Sequence, residues 1–489
     1  GELPRAFDPE TLKRVYGYHF ELIQVENHSA IPEFDGSIVF ISQHKEFLKI
    51  EQSPHIDFYI QTHAAFGSIL YVSGTESKDS ISSIQHVRRR ETIAMTPLNC
   101  LKTLSGLVHQ SAETSPAKDP YKTQVLNAIS TITHSPTKPL VGSSGLSVQY
   151  AIMMGLIDEA QEHHPEKAIK FIVPPNCYGG TNDQARRVAA CIKNVEVVDL
   201  PVDGTHDMVQ SLDAILDRIA LEDAIPYIIA EIPTNPRVEV PDLVQLKNVL
   251  SAVRNTKSGH IATDPVFILD QTFCPNVLFL GEGEILSTIR TISYVSGSKF
   301  PSGGTCTAGY CVGNKKSDAL MAKIEQHLLL CDNEATAHQY EILSSQLPSM
   351  NQRIQDAYQN TKDFVDFIKK TLSGAKLNFV SEDLAAQGFT PSVFSLDLPT
   401  KGTTDAERET YKRALNLKLI NLMIAKIPNE SKFCVSYGQL QGCYWTIPAT
   451  STQGTTKEGD KDYIVRVSLS PKMDLELHKK VFLEFVGDI

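Results

Sequence analysis

The sequence predicts an α/β protein in which a mostly parallel central sheet with flanking helices is followed by a smaller α+β domain at the C-terminal end. Three observations carry this expectation. Short apolar runs alternate with amphipathic stretches through the middle of the chain, the pattern of βαβ units. From about 317 to 375 the pattern turns helical, as in SDALMAKIEQHLLL and SSQLPSMNQRIQDAYQNTKDFVDFIKKTL. Beyond it the strand-like runs SVFSLDL, KFCVSYG and DYIVRVSLS return before a final helix. The expected organisation is an N-terminal segment over 1–88, a large domain over 89–345 and a small domain over 346–489.

In the central region the apolar runs are KFIV (170–173), VEVVDL (195–200), PYIIAE (226–231), VFILD (266–270), TISYV (291–295) and AGYCV (308–312). Between them, TNDQARRVAACIKN and DLVQLKNVLSAVRN place apolar residues at helical spacing. A shorter element, PLVGSSGLSVQYA (139–151), has a Ser-Ser-Gly turn opening a helix. STQGTTKEGDK (451–461) reads as a polar, glycine-bearing loop, and no internal repeat is found.

With 489 residues, 42% hydrophobic and 21% charged, the chain has ordinary globular composition and ample apolar material for a large core. A formal charge of −11 and a pI near 5.8 argue against nucleic acid as the main partner, and the one basic run, RRR at 88–90, is local. Nine cysteines are scattered without a CxxC pair, which favours a reducing, cytoplasmic setting over a disulfide framework or a metal site. No apolar run approaches membrane-spanning length, and GELPRAFDPE lacks the layout of a signal peptide.

Ligands of open parallel sheets bind beyond the carboxyl ends of the strands, so the residues after each run matter most. After KFIV comes PPNCYGGT, PYIIA runs into EIPTNP, VFIL ends in DQTF, and TISYV runs into SGSK. Taken singly, Asp270 reads as a turn former, Tyr178 as a loop aromatic, and Ser296 and Ser298 as helix caps. Taken together they fit pyridoxal phosphate. That cofactor needs a lysine (Lys299), a carboxylate for its ring nitrogen (Asp270), an aromatic face (Tyr178) and phosphate donors such as Ser296, Ser298 and the 144–146 turn.

The blocks NCYGGT, AEIPTNPRVEVPDL, ILDQTFCPN and YVSGSKFPSGGTCTAGYCVG resemble the signatures of the Cys/Met-metabolism pyridoxal-phosphate family. That family has fold type I and holds cystathionine γ-synthase, the cystathionine lyases and methionine γ-lyase. The likeness runs from about Arg89 to Arg466, with DQTF and SGSKF its most specific parts. It implies that Lys299 is the Schiff-base lysine and proton shuttle, Asp270 the pyridinium partner, Tyr178 the stacking ring and acid/base, and Asn235 a contact to the phenolic oxygen. It places phosphate contacts on Gly145, Leu146, Ser296 and Ser298, and a further one on Arg89, which reaches a neighbouring subunit. Ser436 and Arg466 then line the substrate-carboxylate site, the arginine as a two-pronged clamp.

The implied activity is a cytoplasmic carbon–sulfur lyase or γ-synthase of amino-acid biosynthesis, working by β/γ-elimination or γ-replacement on sulfur amino acids or activated homoserine. The implied assembly is a homo-oligomer, dimer or homotetramer, with shared active sites. Other fold-type-I chemistry (aminotransferase or desulfurase) and a pyridoxal-phosphate-binding chain without turnover are the alternatives. The chain also departs from the family pattern. Val87 stands where a tyrosine is expected, Gly303-Gly304-Thr305-Cys306 replaces Gly-His-x-Asp, and extra length falls before 85, around 110–135 and near 451–461.

Overall fold

The computed structural model describes residues 10, 13–14, 38–43, 56–63, 67–72, 78–90, 97–108, 120–202, 207–435, 438–448 and 463–489. Three sheets organise them. The first contains β1 (Val39–Gln43), β2 (Phe58–His63) and β3 (Gly67–Val72), with β1 parallel and β3 antiparallel to β2.

The central sheet has seven strands: β4 (Leu140–Gly142), β5 (Ile169–Val173), β6 (Val195–Asp199), β7 (Ile225–Glu231), β8 (Val266–Asp270), β9 (Thr291–Ser296) and β10 (Gly309–Gly313). All six expected apolar runs form strands. Their order is β4-β10-β9-β8-β7-β5-β6, parallel from β9 to β6, with β10 antiparallel to both its neighbours. The order reverses between β5 and β7, the kind of switch point where loops part and leave a crevice.

Every residue of β7 and β8 is buried, because helices cover both faces of the sheet; hence these strands read as continuous apolar runs rather than alternating ones. Ile228, Ala230, Phe267 and Leu269 join the core on one face, where the helices Met208–Leu221 and Leu243–Ser251 pack. Tyr227, Ile229, Val266 and Ile268 join the core on the other face, under the helices Gly145–His163 and Gly179–Cys191. By strand alternation Glu231 and Asp270 point to this second face.

As expected, the stretch after 317 is helical, in Asp318–Leu330, Ala337–Gln346 and Met350–Thr371. The third sheet follows, built from β11 (Lys376–Asn378), β12 (Val393–Asp397), β13 (Ser431–Phe433), β14 (Gly442–Pro448) and β15 (Tyr463–Ser468) in the order β11-β12-β15-β14-β13. Val465 and Val467 pack into the core of this unit beneath the helices Asp405–Lys426 and Leu475–Gly487, which turns Arg466 to the opposite face. That face meets the ligand-side loops of the central sheet: Ser395, in register with Arg466, donates to the Pro236 carbonyl. Among the described residues no helix is long and apolar enough to cross a membrane.

Candidate active site

Five carboxyl-end loops of the central sheet, after β4, β5, β7, β8 and β9, and one strand of the third sheet converge. Asp270 ends β8 and is only 8% exposed. Its Oδ1 accepts from the Thr272 N–H (2.9 Å) and from the Thr272 hydroxyl (2.6 Å). The same hydroxyl oxygen accepts the Ser296 N–H at 3.0 Å, so Thr272 couples the carboxylate to the loop that carries Ser296, Ser298 and Lys299. Burial raises the Asp270 pKa, while Thr272, Tyr294 and Lys299 oppose the rise.

Lys299 follows β9 and is half-buried. Its pKa is lowered first by burial and then by repulsion from Arg466, with Asp270 pulling the other way. The next turn runs through Gly303 and Gly304 at φ 61° and 79°, a left-handed path that strains any side chain. A Cβ on Gly304 would also lie 2.9 Å from the Gln439 Cβ, which accounts for glycine at this position.

Tyr178 caps the helix Gly179–Cys191, and its ring lies so close to Gly180 that a Cβ there would sit 2.5 Å from Cε1 and 3.2 Å from the Leu146 side chain. Leu146 and Gly145 open the helix Gly145–His163, capped by Ser144 in a reciprocal pair with Ser147. Gly145 abuts Ser296: an added Cβ would lie 2.9 Å from the serine Cβ and 3.0 Å from its Cα. Glycine therefore lets the helix N-terminus approach the β9 loop closely, bringing its free N–H groups beside Ser296 in a setting an anion favours.

Asn235 is 5% exposed, and its side-chain Oδ1 is buried without a hydrogen-bond partner. Arg466, 6% exposed on β15, donates from Nη1 to the Val435 carbonyl at 3.0 Å and lies over the Phe273 ring at 5.8 Å. Arg89 lies on the helix Lys78–Arg90, whose His86 meets Asp183 of the helix Gly179–Cys191 at 3.3 Å. The Arg89 side chain and all of Ser436 fall outside the described residues.

Sequence reasoning missed two participants. Thr272 stands inside the quoted DQTF block, and Glu231 opens EIPTNP. Glu231 ends β7 in register with Asp270 and is 7% exposed. Its Oε1 accepts the Tyr178 N–H at 2.7 Å and its Oε2 accepts the Asn235 N–H at 3.0 Å. Burial and the neighbouring Asp270 push its pKa up to about 8 even so. The signal was present, since β7, like β8, is an apolar run ending in a carboxylate.

No protein-family model and no curated protein sequence matches the chain. Solved structures do. The methionine gamma lyase CalE6 of Micromonospora echinospora superposes with a TM-score of 0.56 at 16% identity, covering 77% of this chain and 90% of that one. Cystathionine gamma synthase of Xanthomonas oryzae pv. oryzae, solved with cystathionine, gives a TM-score of 0.53 at 16% identity over 78% and 89% of the two chains. The metB protein of Corynebacterium glutamicum gives 0.54 at 14% identity over 77% and 90%. The chain thus has the fold of these enzymes, the α/β architecture with a smaller C-terminal unit that the sequence resemblance implies.

Proposed function

We propose that the chain is a pyridoxal-phosphate-dependent enzyme of the transsulfuration type, a carbon–sulfur lyase or γ-synthase acting on sulfur amino acids or activated homoserine. The observation that supports this most is the convergence of Lys299, Asp270, Tyr178 and the Gly145–Ser296 cradle, with Arg466 brought over them by the third sheet. The residues fit the cofactor on three counts. Two adjacent buried carboxylates call for a cation, the buried Asn235 Oδ1 is an orphan, and any Cβ at Gly145 would push the helix N-terminus away from Ser296.

When bound, pyridoxal phosphate supplies an aldehyde that captures amines and a cationic ring that stabilises negative charge on the carbon beside the captured nitrogen. Asp270 would hold the ring N–H, and the N-terminus of the helix Gly145–His163 with Leu146, Ser296 and Ser298 would hold the phosphate. Tyr178 would cover the ring and Asn235 would meet the phenolic oxygen.

Lys299 anchors the aldehyde end and, once released, carries protons at Nζ. Its lowered pKa keeps more of the amine neutral near neutral pH, the form that accepts a proton. The Arg466 guanidinium binds the substrate carboxylate and orients the α-carbon toward Lys299, with Ser436 lining the same side. Tyr178 serves as the second acid/base group. Arg89 contributes a phosphate contact across a subunit boundary in a homo-oligomer, a role that a fully active monomer in gel filtration contradicts.

The test is to add pyridoxal phosphate to the purified chain, then L-cystathionine, L-methionine, or O-succinyl-L-homoserine with cysteine, and to assay keto acid, thiol and cystathionine. Thiol or cystathionine from one substrate supports the reading and separates lyase from synthase. Keto-acid-dependent amino transfer without thiol replaces it with an aminotransferase.

A further inference from the structure

Glu231 has a place that neither strand-building nor the roles above require. It ends β7, next to the switch point between β5 and β7, and its two oxygens are spent on two different loops. One accepts the N–H of Tyr178, the residue that follows the β5 loop (2.7 Å), and the other accepts the N–H of Asn235, beyond β7 (3.0 Å). Its register partner on β8 is Asp270. A single side chain therefore touches the backbone of the ring-facing tyrosine and of the asparagine while lying beside the ring-nitrogen carboxylate.

We propose that Glu231 is a positioning residue for the cofactor ring, its carboxylate bridging the Tyr178 and Asn235 backbones across the switch point and so fixing both side chains relative to Asp270. The inference rests on the pyridoxal-phosphate reading above. A carboxylate suits the task because both oxygens accept, whereas an amide offers one acceptor and turns its N–H₂ against the other N–H donor. Placing a second acid beside Asp270 in a buried setting is costly unless a cation stands nearby. Lys299 and Arg466 are the cations of the site itself, and a cationic ring adds a third positive centre where the two acids meet. The same arrangement pins the backbone N–H of Asn235, whose side-chain Oδ1 is buried and unpartnered.

The experiment titrates pyridoxal phosphate into the wild type, Glu231→Gln, Asn235→Ala and the double variant, reading the dissociation constant, the visible circular dichroism of the bound cofactor and the melting temperature of the cofactor-free chains. Glu231→Gln is expected to weaken binding about tenfold, the worth of one lost charge-assisted hydrogen bond, and to reduce the dichroism. In the Asn235→Ala background the same change should cost distinctly less, because one of its two arms acts through that amide. If Glu231→Gln does not fold, Glu231→Asp carries the test, since it keeps the charge but is one methylene too short to bridge both N–H groups. Wild-type affinity and dichroism in the variant overturn the proposal. So does a loss of affinity with unchanged dichroism that is matched by an equal fall in cofactor-free stability, for that is a structural role alone. A wild type that takes up no cofactor overturns the reading of the site itself, an outcome distinct from either.

Discussion

Two groups of buried carboxylates in this molecule have opposite electrostatic fates. Asp158, in the helix Gly145–His163, is fully buried and surrounded by basic side chains. Arg14 donates to its Oδ1 at 2.5 and 3.1 Å, Lys323 reaches the same oxygen at 3.2 Å, and His327 meets Oδ2 at 2.9 Å. Burial pushes its pKa up, but hydrogen bonds from His327 and Arg14 outweigh that and hold it at about 2. Glu231 and Asp270 are as well buried, yet their hydrogen-bond donors are backbone N–H groups and hydroxyls, and both carboxyls are pushed up. Burial is common to both groups, so direct hydrogen bonds from basic side chains decide the outcome. The Asp158 group is a closed lock that ties the segment carrying Arg14 to the helices Gly145–His163 and Asp318–Leu330. The Glu231–Asp270 pair is held by neutral donors, with Lys299 and Arg466 acting on it only at a distance.

The largest expected effect lies beside the second group. Arg466→Ala should lower kcat/KM about 100-fold or more, the cost of a lost two-pronged carboxylate clamp, while the visible band of bound cofactor persists. Unchanged kcat/KM in that variant removes the clamp from the account. Next, Asp158→Asn leaves the Arg14 and Lys323 cations around a neutral group. It should destabilise the chain by about 3–5 kcal/mol in denaturant unfolding, with cofactor affinity unaltered. A parallel fall in cofactor affinity would break the distinction between lock and site.

The pH dependence of the cofactor-free chain sharpens the comparison, because the two groups have opposite signs. Glu231 sits at about 8, above the ordinary 4.5, so its contribution is fully present at low pH and is lost as pH rises from about 4.5 through about 8. Asp158, at about 2 rather than 3.8, contributes above pH 3.8 and loses that contribution as pH falls toward 2. Melting curves from about pH 2 to 9 should show Glu231→Gln flattening the alkaline side and Asp158→Asn the acid side, with Arg466, Lys299 and Asp270 unchanged in both. Swapped or absent effects contradict the assignment. The smallest expected effect is that of Thr272→Val, which removes the hydroxyl joining Asp270 to Ser296 and should cost about 1 kcal/mol of cofactor affinity by titration.

The parts of the site that are legible in the sequence are those whose chemistry is local. Lys299 and Asp270 each follow an apolar run, and buried parallel strands advertise themselves as such runs, so the apolar pattern alone locates the strand ends. Glu231 carries the same mark, but its meaning depends on β7 lying beside β8 and next to β5, and strand order is a property of the crossovers rather than of any one segment. Asp158 is illegible for a similar reason, since its partner Arg14 is 144 residues away. The sheet β1–β3 falls in a stretch that the sequence marks only as an N-terminal segment. Its strands VFISQ, FYIQTH and GSILYV are rich in β-branched and aromatic residues, yet β1 and β2 are parallel, and the antiparallel β2 and β3 are separated by AAF, which carries no turn residue. The glycine at 304 reads in sequence as a departure from the family pattern and is instead dictated by a left-handed turn against Gln439.

The most direct test is to reconstitute the purified chain with pyridoxal phosphate, record its visible absorbance, reduce with borohydride and locate the retained mass by peptide mapping. A visible band and a reduced adduct on Lys299 are expected, and neither in Lys299→Ala. A chain that shows no band, or an adduct spread over surface lysines with Lys299→Ala behaving as wild type, would contradict the assignment of Lys299.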